Sequence, residues 1–234
     1  MTPWLRESKS QMAALNPNYF AERIPSSYHW RFFPEFRDVT VYLDIETTGL
    51  SRYEETITTI ALYDGKSILY YVKDRNLDDF PEDIKRYKVI VTYNGKSFDV
   101  PFIERTFGIA LNQAHIDLRY VLAGLGYKGG LKSCENQLGF SRGELTDIDG
   151  FFAVLLWGDY LNGNEKALET LLAYNIQDVL SLENLMVIAY NLKIKDTPFY
   201  RNLLPEPDLP DSPFRADMET VNRIRSRQIY FGFV

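Results

Sequence analysis

The chain has 234 residues, of which 45% are hydrophobic and 15% aromatic, a composition that supports one sizeable folded core with appendages. Its 26 lysine and arginine residues stand against 32 aspartate and glutamate residues, and the net charge of −6 excludes a protein that coats nucleic acid by bulk electrostatic attraction. A single cysteine and no apolar run longer than residues 151–157 exclude an intramolecular disulfide and a membrane span, so we expect a cytoplasmic protein.

The first segment, residues 1–37, is rich in aromatic residues interleaved with arginines. Such a pattern can stack on the bases of a single-stranded nucleic acid. Large apolar side chains bury readily, however, so we favour a segment that packs on or near the core. The residues concerned are Tyr19, Phe20, Tyr28, Trp30, Phe32, Phe33 and Phe36, with Arg23, Arg31 and Arg37.

Residues 38–45 alternate apolar and polar side chains, which is the period-two pattern of a β-strand. Asp44 and Glu46 are two positions apart, so both side chains leave the strand end on the same face. Neighbouring carboxylates repel each other unless a cation lies between them. Residues 47–49 then form a small turn whose backbone N–H groups can approach a ligand. The pair indicates a metal site, although a solvated strand end gives the same short pattern.

The strands that follow are short and bounded by turn residues. Asp64 and Gly65 predict a hairpin turn between the first two of them. Together with the strand at 38–45 they would form a five-stranded mixed sheet flanked by helices, an α/β layer arrangement. These further strands are predicted at 56–63, 67–72, 88–93 and 115–117.

The second acidic motif follows the strand at 88–93. Asn94 and Gly95 form a turn, and the spacing of apolar residues predicts a helix over 98–107. Asp99 therefore lies near a helix N-terminus and beside a strand end. From this position it can either hold a metal ion or complement the helix dipole.

Two polar residues, His115 and Asp117, lie on the last short strand. We interpret His115 as structural and Asp117 as the N-cap of the helix that begins at Leu118, with a place at the rim of the site as the alternative. The predicted helices are 98–107, 118–125, 131–138, 149–160 and 164–191.

The last predicted helix is strongly apolar and carries Tyr174 and Asp178. Residues four positions apart share one face of a continuous helix. Alternatively, Asn175 caps a second helix, which would place Tyr174 just outside it and still keep the pair close. A tyrosine at the edge of the core, hydrogen-bonded to a neighbouring carboxylate, would give the same pattern.

After this helix the chain becomes rich in proline. Residues 198–213 contain five prolines and indicate an extended linker or a strap along the surface. Residues 229–234 are an apolar end that can dock on the core or on a partner. We therefore predict an N-terminal extension at 1–37, a core domain at 38–195 and a C-terminal extension at 196–234.

The three acidic motifs together resemble a known family. They are DIETTGL with Asp44 and Glu46, N-x3-F-D with Asn94, Phe98 and Asp99, and Y-x3-D with Tyr174 and Asp178. They resemble the exonuclease motifs of the DEDD superfamily in its tyrosine-bearing DEDDy branch, since Ala173 stands where the histidine branch has its histidine. More closely, the chain is similar to YprB-type ribonuclease H-like domains, which share an L-K-S-x-E-x-x-L-G segment, here residues 131–139. The resemblance covers residues 38–192.

This resemblance implies a ribonuclease H-like fold and a metal-dependent 3′–5′ exonuclease that uses two divalent cations, Mg²⁺ or Mn²⁺. Asp44, Glu46 and Asp178 would hold one cation, and Asp99 would support a second that Asp44 also bridges. Tyr174 would orient the attacking water, since a hydroxyl with an ordinary pKa of about 10 is a poor base at neutral pH.

The resemblance also suggests how a substrate would bind. Thr47 and Leu50, in the turn after the first motif, are candidate contacts to the terminal nucleotide, and Asn94 and Phe98 are weaker candidates. The expected partner is single-stranded DNA or RNA with a free 3′ end. The same fold can also serve as a non-catalytic nucleic-acid- or protein-binding module, or as a structure-specific endonuclease. A set of four acidic residues argues against the binding module.

Overall fold

The computed structural model of the chain describes residues 2–49, 54–146 and 148–231, with side chains up to Arg227. Leu50, one of the predicted substrate contacts, lies outside the described residues. Five strands form one sheet, and they are β1 Thr40–Thr47, β2 Ile57–Tyr63, β3 Ile68–Val72, β4 Val89–Thr92 and β5 Ala114–Asp117.

Strand β1 lies at the centre of the sheet, in which the strand order is β3-β2-β1-β4-β5. It pairs antiparallel with β2 and parallel with β4, while β2 pairs antiparallel with β3 and β4 pairs parallel with β5. The predicted five-stranded mixed sheet flanked by helices is therefore confirmed.

Helices cover both faces of the sheet and also form the two ends of the described chain. The α-helices are α1 Pro3–Ala13, α2 Pro17–Ala21, α3 Phe33–Phe36, α4 Phe80–Asp83, α5 Asp99–Phe107, α6 Leu118–Ala123, α7 Leu131–Gln137, α8 Gly150–Leu161, α9 Glu165–Ile194 and α10 Met218–Phe231. Short 3-10 helices occupy Ser26–Phe32, Arg37–Val39, Leu77–Asp79, Ile84–Arg86 and Gly143–Leu145. The helices before β1, helix α4 and helix α10 were not predicted.

The two faces of β1 carry different side chains. Val41, Leu43 and Ile45 pack with side chains of α4 and α5 in one buried cluster. Tyr42 faces the opposite side, where it packs in a second cluster that includes much of α9. Because alternate side chains share a face, the two acidic residues of β1 lie on the same side of the sheet as α9.

Helix α9 is 30 residues long and buried around most of its circumference, as expected for a helix enclosed by the core. The side chain of Asn164 caps its start by accepting a hydrogen bond of 3.2 Å from the N–H of Lys166. The helix continues through Tyr174 and Asp178, so the alternative in which Asn175 caps a second helix is wrong. Tyr174 and Asp178 lie about one turn apart on one helix.

Two predicted turns are confirmed in detail. Asp64 accepts hydrogen bonds from the N–H groups of Lys66 at 3.0 Å and Ser67 at 2.8 Å, which closes the β2–β3 hairpin. Gly65 has φ +86°, a conformation that favours glycine. Helix α5 ends at Gly108, whose φ of +62° gives the left-handed C-cap.

The segment before β1 contributes large aromatic side chains to the core. It is also tied to α9, since Arg37 donates hydrogen bonds of 3.2 Å and 2.7 Å from Nε and Nη2 to Oε1 of the buried Glu183. The segment is therefore part of the packed structure on this side of the sheet. Its buried aromatic residues in the main cluster are Trp30, Phe32, Phe33 and Phe36.

The proline-rich segment runs over the surface of α9 as a strap. Leu204 exchanges two backbone hydrogen bonds with the side chain of Asn191, at 2.9 Å and 2.8 Å. Helix α10 then packs beside α8 and α9, and Arg223 donates a hydrogen bond of 2.8 Å from Nη1 to Oδ1 of Asp159. Among the described helices, none is both long and apolar enough to cross a membrane.

Candidate active site

Strand β1 brings two carboxylates to the site. Asp44 is partly exposed and Glu46 is buried, and both extend from the face that α9 covers. The pairing of β1 with β2 shifts register between Glu46 and Thr47, so the strand becomes irregular directly after the acidic pair. The irregularity lies directly beside the two carboxylates.

Helix α9 brings the third carboxylate. Asp178 is buried, and one carboxylate oxygen from each of Asp44, Glu46 and Asp178 lies within 4.8 Å of the others. These residues come from positions more than 130 apart in the sequence, and the packing of α9 on β1 places them together. The three oxygens can surround one ion.

Asp99, the first residue of α5, lines the same cleft but lies outside this group of three. It is buried, and its Oδ1 accepts a hydrogen bond of 3.2 Å from the backbone N–H of Ile45. This bond ties the start of α5 to the strand between the two acidic residues of β1. Asp99 is therefore held beside the group rather than within it.

The carboxyl groups of the cleft have raised pKa values. Burial, followed by the charges of neighbouring carboxylates, raises the pKa values of Asp44 and Glu46 well above their usual range. Burial also raises the pKa of Asp99 to about 7 and that of Asp178 to about 6. Clustered hard oxygen donors with unfavourable mutual repulsion fit a divalent cation such as Mg²⁺ or Mn²⁺.

Asn175 fixes the orientation of Asp44. It is fully buried, and its Nδ2 donates a hydrogen bond of 2.7 Å to Oδ2 of Asp44. Its Oδ1 accepts a hydrogen bond of 3.0 Å from the hydroxyl of Thr59 on β2. The Asn175 amide is thus oriented by β2, and Asp44 is oriented by the amide. Sequence patterns raised Asn175 only as the cap in an alternative helix arrangement and did not predict this role.

Arg142 is the second residue that sequence reasoning missed. Its side chain is 5% exposed and forms buried ion pairs with both Asp178 and Glu135. The bond from Nη2 to Oε1 of Glu135 is 2.9 Å long. Glu135 belongs to the L-K-S-x-E-x-x-L-G segment, but no sequence signal pointed to Arg142. Asp178 therefore has a cationic partner within the protein, whereas Glu46 receives no hydrogen bond from the described residues.

Tyr174 lies beside the carboxylates with its hydroxyl unengaged. The hydroxyl makes no hydrogen bond to any of the described residues, and the side chain is largely buried. Lys132 Nζ and Arg142 Cζ lie 5.7 Å and 5.8 Å from the ring centroid. Burial and then the nearby carboxylates raise the pKa of Tyr174, so the hydroxyl keeps its proton and can donate a hydrogen bond.

The cleft around these groups has a volume of about 530 Å³. Of the predicted substrate contacts, Thr47, Asn94 and Phe98 line it. The hydroxyl of Thr47 donates a hydrogen bond of 2.5 Å to the carbonyl of Gly49. One wall was not predicted, and it is formed by α8, where the ring of Phe151 is 55% exposed. An exposed aromatic ring beside the carboxylates can stack on a base.

His115 and Asp117 have structural roles. The Nε2 of His115 lies 2.9 Å from the hydroxyl of Thr92, and burial lowers the pKa of His115 to about 3, so it is neutral. Asp117 caps α6 as predicted, by accepting a hydrogen bond of 3.1 Å from the N–H of Arg119. It also accepts one of 2.8 Å from the N–H of Asn94, which shapes the loop before Asp99.

The sequence of the folded core matches a known protein family. Residues 41–190 match the model of RNase_H_2, a family of the RNase H superfamily. The chain belongs to this superfamily. The ribonuclease H-like fold that the sequence predicted is thereby confirmed. No curated protein matches the chain significantly.

Two groups of solved structures are similar to the chain at low sequence identity. The family B DNA polymerase of the archaeon Pyrobaculum calidifontis is 18% identical with a TM-score of 0.51, over 65% of this chain and 25% of the polymerase. The chain thus spans about a quarter of the polymerase. NrnC of Brucella melitensis is also 18% identical, with a TM-score of 0.47 over 70% of this chain and 78% of NrnC. Structures of NrnC with bound Mg²⁺ and with bound pGG are also similar.

We predict that the metal-free protein loses stability as the pH rises from about 5 to about 8. Asp99 and Asp178 have folded-state pKa values of about 7 and about 6, above their ordinary value of 3.8, so the folded protein binds more protons than the unfolded chain. The stability linked to these groups is complete below their ordinary pKa and is lost as the pH rises through the folded values. Thermal melting in chelator should show this decline, with a shallower slope for Asp99→Asn. A melting temperature that stays level across this interval would contradict the raised pKa values.

We further predict unequal effects of two neutralising substitutions in chelator at pH 8. Glu46→Gln should raise the melting temperature, because it removes a buried charge that the described residues leave without a hydrogen bond. Asp178→Asn should raise it less, because it removes a buried charge but also breaks the charged hydrogen bond to Arg142, which offsets part of that charge. Differential scanning calorimetry of both variants beside the parent measures the contrast. An equal or larger rise for Asp178→Asn would show that Arg142 does not offset the charge of Asp178.

Proposed function

We propose that this chain is a metal-dependent 3′–5′ exonuclease that hydrolyses phosphodiester bonds of single-stranded nucleic acid. The observation that carries the proposal is the meeting of three carboxylates, from β1 and α9, within 4.8 Å, with Asp99 beside them. The reaction class and the direction of digestion are what the resemblance of the three sequence motifs to the DEDDy branch implies. The catalytic unit would be residues 38–195, with the two extensions, 1–37 and 196–234, as parts that pack on it.

The donor set determines which cofactor fits the site. Asp44, Glu46 and Asp178 would hold one Mg²⁺ or Mn²⁺, and Asp44 with Asp99 would support a second. When bound, two such cations supply activation of the attacking water and stabilisation of the leaving 3′ oxygen. Ligands that are all oxygen favour magnesium or manganese over softer metals.

The protein's own groups would orient the reactants. Asn175 keeps Asp44 in a single orientation through its bonds to Asp44 and Thr59. Tyr174 keeps its proton, so its hydroxyl would donate a hydrogen bond to the attacking water or to the phosphate rather than act as a base. The exposed ring of Phe151 and the ring of Phe98 would stack on the terminal base.

Two other functions compete with this proposal. A non-catalytic binding module does not need several buried carboxylates with raised pKa values in one cleft, since they destabilise the metal-free fold. A structure-specific endonuclease would use the same carboxylates and differ only in how the strand enters the cleft. A circular single strand, which has no 3′ end, separates the two nuclease activities.

We predict metal-dependent shortening of 5′-labelled single-stranded DNA or RNA from the 3′ end. Glu46→Gln should lower the rate by about 10³-fold, as expected when a principal electrostatic stabiliser is lost. Gel analysis of digests with Mg²⁺, Mn²⁺ or chelator measures the ladder, with a circular strand of the same sequence as control. Cleavage of the circle would favour the endonuclease, and retained binding without cleavage in any metal would favour the binding module.

We predict that Tyr174→Phe lowers kcat by about 10²-fold, because the attacking water loses a hydrogen bond that orients it. The ring and its contacts with Lys132 and Arg142 are preserved in phenylalanine, so the affinity for Mn²⁺ should stay within a factor of two of the parent. Single-turnover digestion gives the rate, and calorimetric titration with Mn²⁺ gives the affinity. Unchanged hydrolysis would remove Tyr174 from the mechanism.

A further inference from the structure

A second cavity, of about 640 Å³, adjoins the carboxylate cleft. Tyr93 and Asn94 line both cavities, so the two lie next to each other at the loop that follows β4. The far walls come from α6 and from the loop before α7, which contribute Arg119, Lys128 and Gly129. The substrate contacts predicted from the sequence reach only as far as Asn94, on the near wall of this cavity.

Two cations face this cavity without carboxylate partners. Arg119 and Lys128 are both exposed, and neither forms an ion pair with any of the described residues. The Nη1 of Arg119 donates a hydrogen bond of 2.5 Å to Oδ1 of Asn94, which holds the guanidinium at the boundary of the two cavities. A guanidinium has five N–H donors, so others remain free for a ligand. In a chain with a net charge of −6, such a pair marks a local site for an anion.

The loop that carries Lys128 is held in one conformation. The carbonyl of Lys128 accepts a hydrogen bond of 2.8 Å from Nε2 of Gln137, and the carbonyl of Gly129 accepts one of 2.6 Å from the hydroxyl of Tyr93. Gly129 has φ +117°, which favours glycine, and a Cβ there would lie 2.7 Å from Oγ of Ser133. The cation is therefore presented by a fixed backbone.

Tyr93 is an aromatic residue that borders both cavities. Its hydroxyl is already engaged by the carbonyl of Gly129 and lies 3.2 Å from Sγ of Cys134. The side chain is thus held in place at a residue that lines both cavities. A fixed aromatic ring next to two cations is the combination that binds single strands without sequence preference, because each base has a stacking face and each linkage has a phosphate.

We propose that this second cavity is a backbone subsite for single-stranded nucleic acid. Arg119 and Lys128 bind phosphates of the nucleotides that precede the 3′-terminal one, and Tyr93 stacks on a base between them. This proposal rests on the proposed function, in which the carboxylate cleft holds the 3′-terminal nucleotide. Binding at this subsite is independent of sequence and sensitive to salt, because it depends on phosphate charge.

Binding without hydrolysis tests the subsite. Anisotropy of a 5′-fluorescein 12-residue oligothymidylate would be measured in Ca²⁺ over a range of KCl concentrations, for the parent and for Arg119→Gln/Lys128→Gln. Two lost phosphate contacts should weaken binding by about tenfold or more and reduce the slope of log affinity against log salt by about 1.4. The matched control, Lys66→Gln/Lys88→Gln, removes two exposed lysines elsewhere and should keep the parental slope. The double exchange Arg119→Lys/Lys128→Arg keeps both positive charges and should therefore keep the parental slope.

The length of the probe locates the effect. A labelled dinucleotide has one internucleotide phosphate, which would lie at the carboxylates, so the double variant should lose far less affinity for it than for the 12-residue strand. An equal loss for both probes would overturn the assignment to preceding nucleotides. A parental salt slope in Arg119→Gln/Lys128→Gln, with its melting temperature unchanged, would overturn the subsite.

The two proposals fail in different ways. A parent that binds the 12-residue strand through Arg119 and Lys128 but never hydrolyses it would refute the exonuclease and leave the subsite standing. A parent that shortens 3′ ends while the double variant keeps its salt slope would refute the subsite alone. If the parent protein binds no strand in Ca²⁺, the subsite proposal is refuted.

Discussion

Three carboxylates within 4.8 Å of one another inside a protein repel each other, and residues of the surrounding cleft offset part of that repulsion. The compensation differs from one acid to the next. Asp44 receives a neutral amide donor from Asn175, and Asp178 receives the guanidinium of Arg142. Glu46 receives no hydrogen bond from the described residues. The site is therefore incompletely neutralised, and a bound divalent cation would complete it.

The scaffold withstands this repulsion because the acids are mounted on its most buried elements. Strand β1 has apolar contacts on one face through Val41, Leu43 and Ile45, and it is paired with a strand on each side. Helix α9 is enclosed along most of its length. Groups on such rigid elements keep their relative positions more closely than groups on loops. The apolar core thus stabilises an arrangement that its charges alone would disfavour.

Sequence patterns predicted the elements and the acids better than the contacts between them. Period-two alternation and helical spacing depend on neighbours in the chain, and so the strands and the long helix α9 were predicted close to their observed bounds. The bond from Asn175 to Asp44 joins residues 131 positions apart, and no local pattern reports it. The ion pair of Arg142 with Asp178 joins residues 36 positions apart, and Arg142 lies outside all three motifs, so no local pattern reports it either. Short helices such as α2 and α4 were missed because tertiary packing, rather than propensity, stabilises them.

The attachment of Arg142 to Asp178 has a thermodynamic consequence for the segment that leads into α8. Arg142 is anchored on one side by Glu135 of α7 and on the other by Asp178 of α9, so it fastens this segment to the floor of the cleft. An ion held by Asp178 would compete with the guanidinium for the same carboxylate. Under the proposed function, metal binding and the packing of the segment that leads into α8 are therefore linked, and each would change the free energy of the other by the same amount.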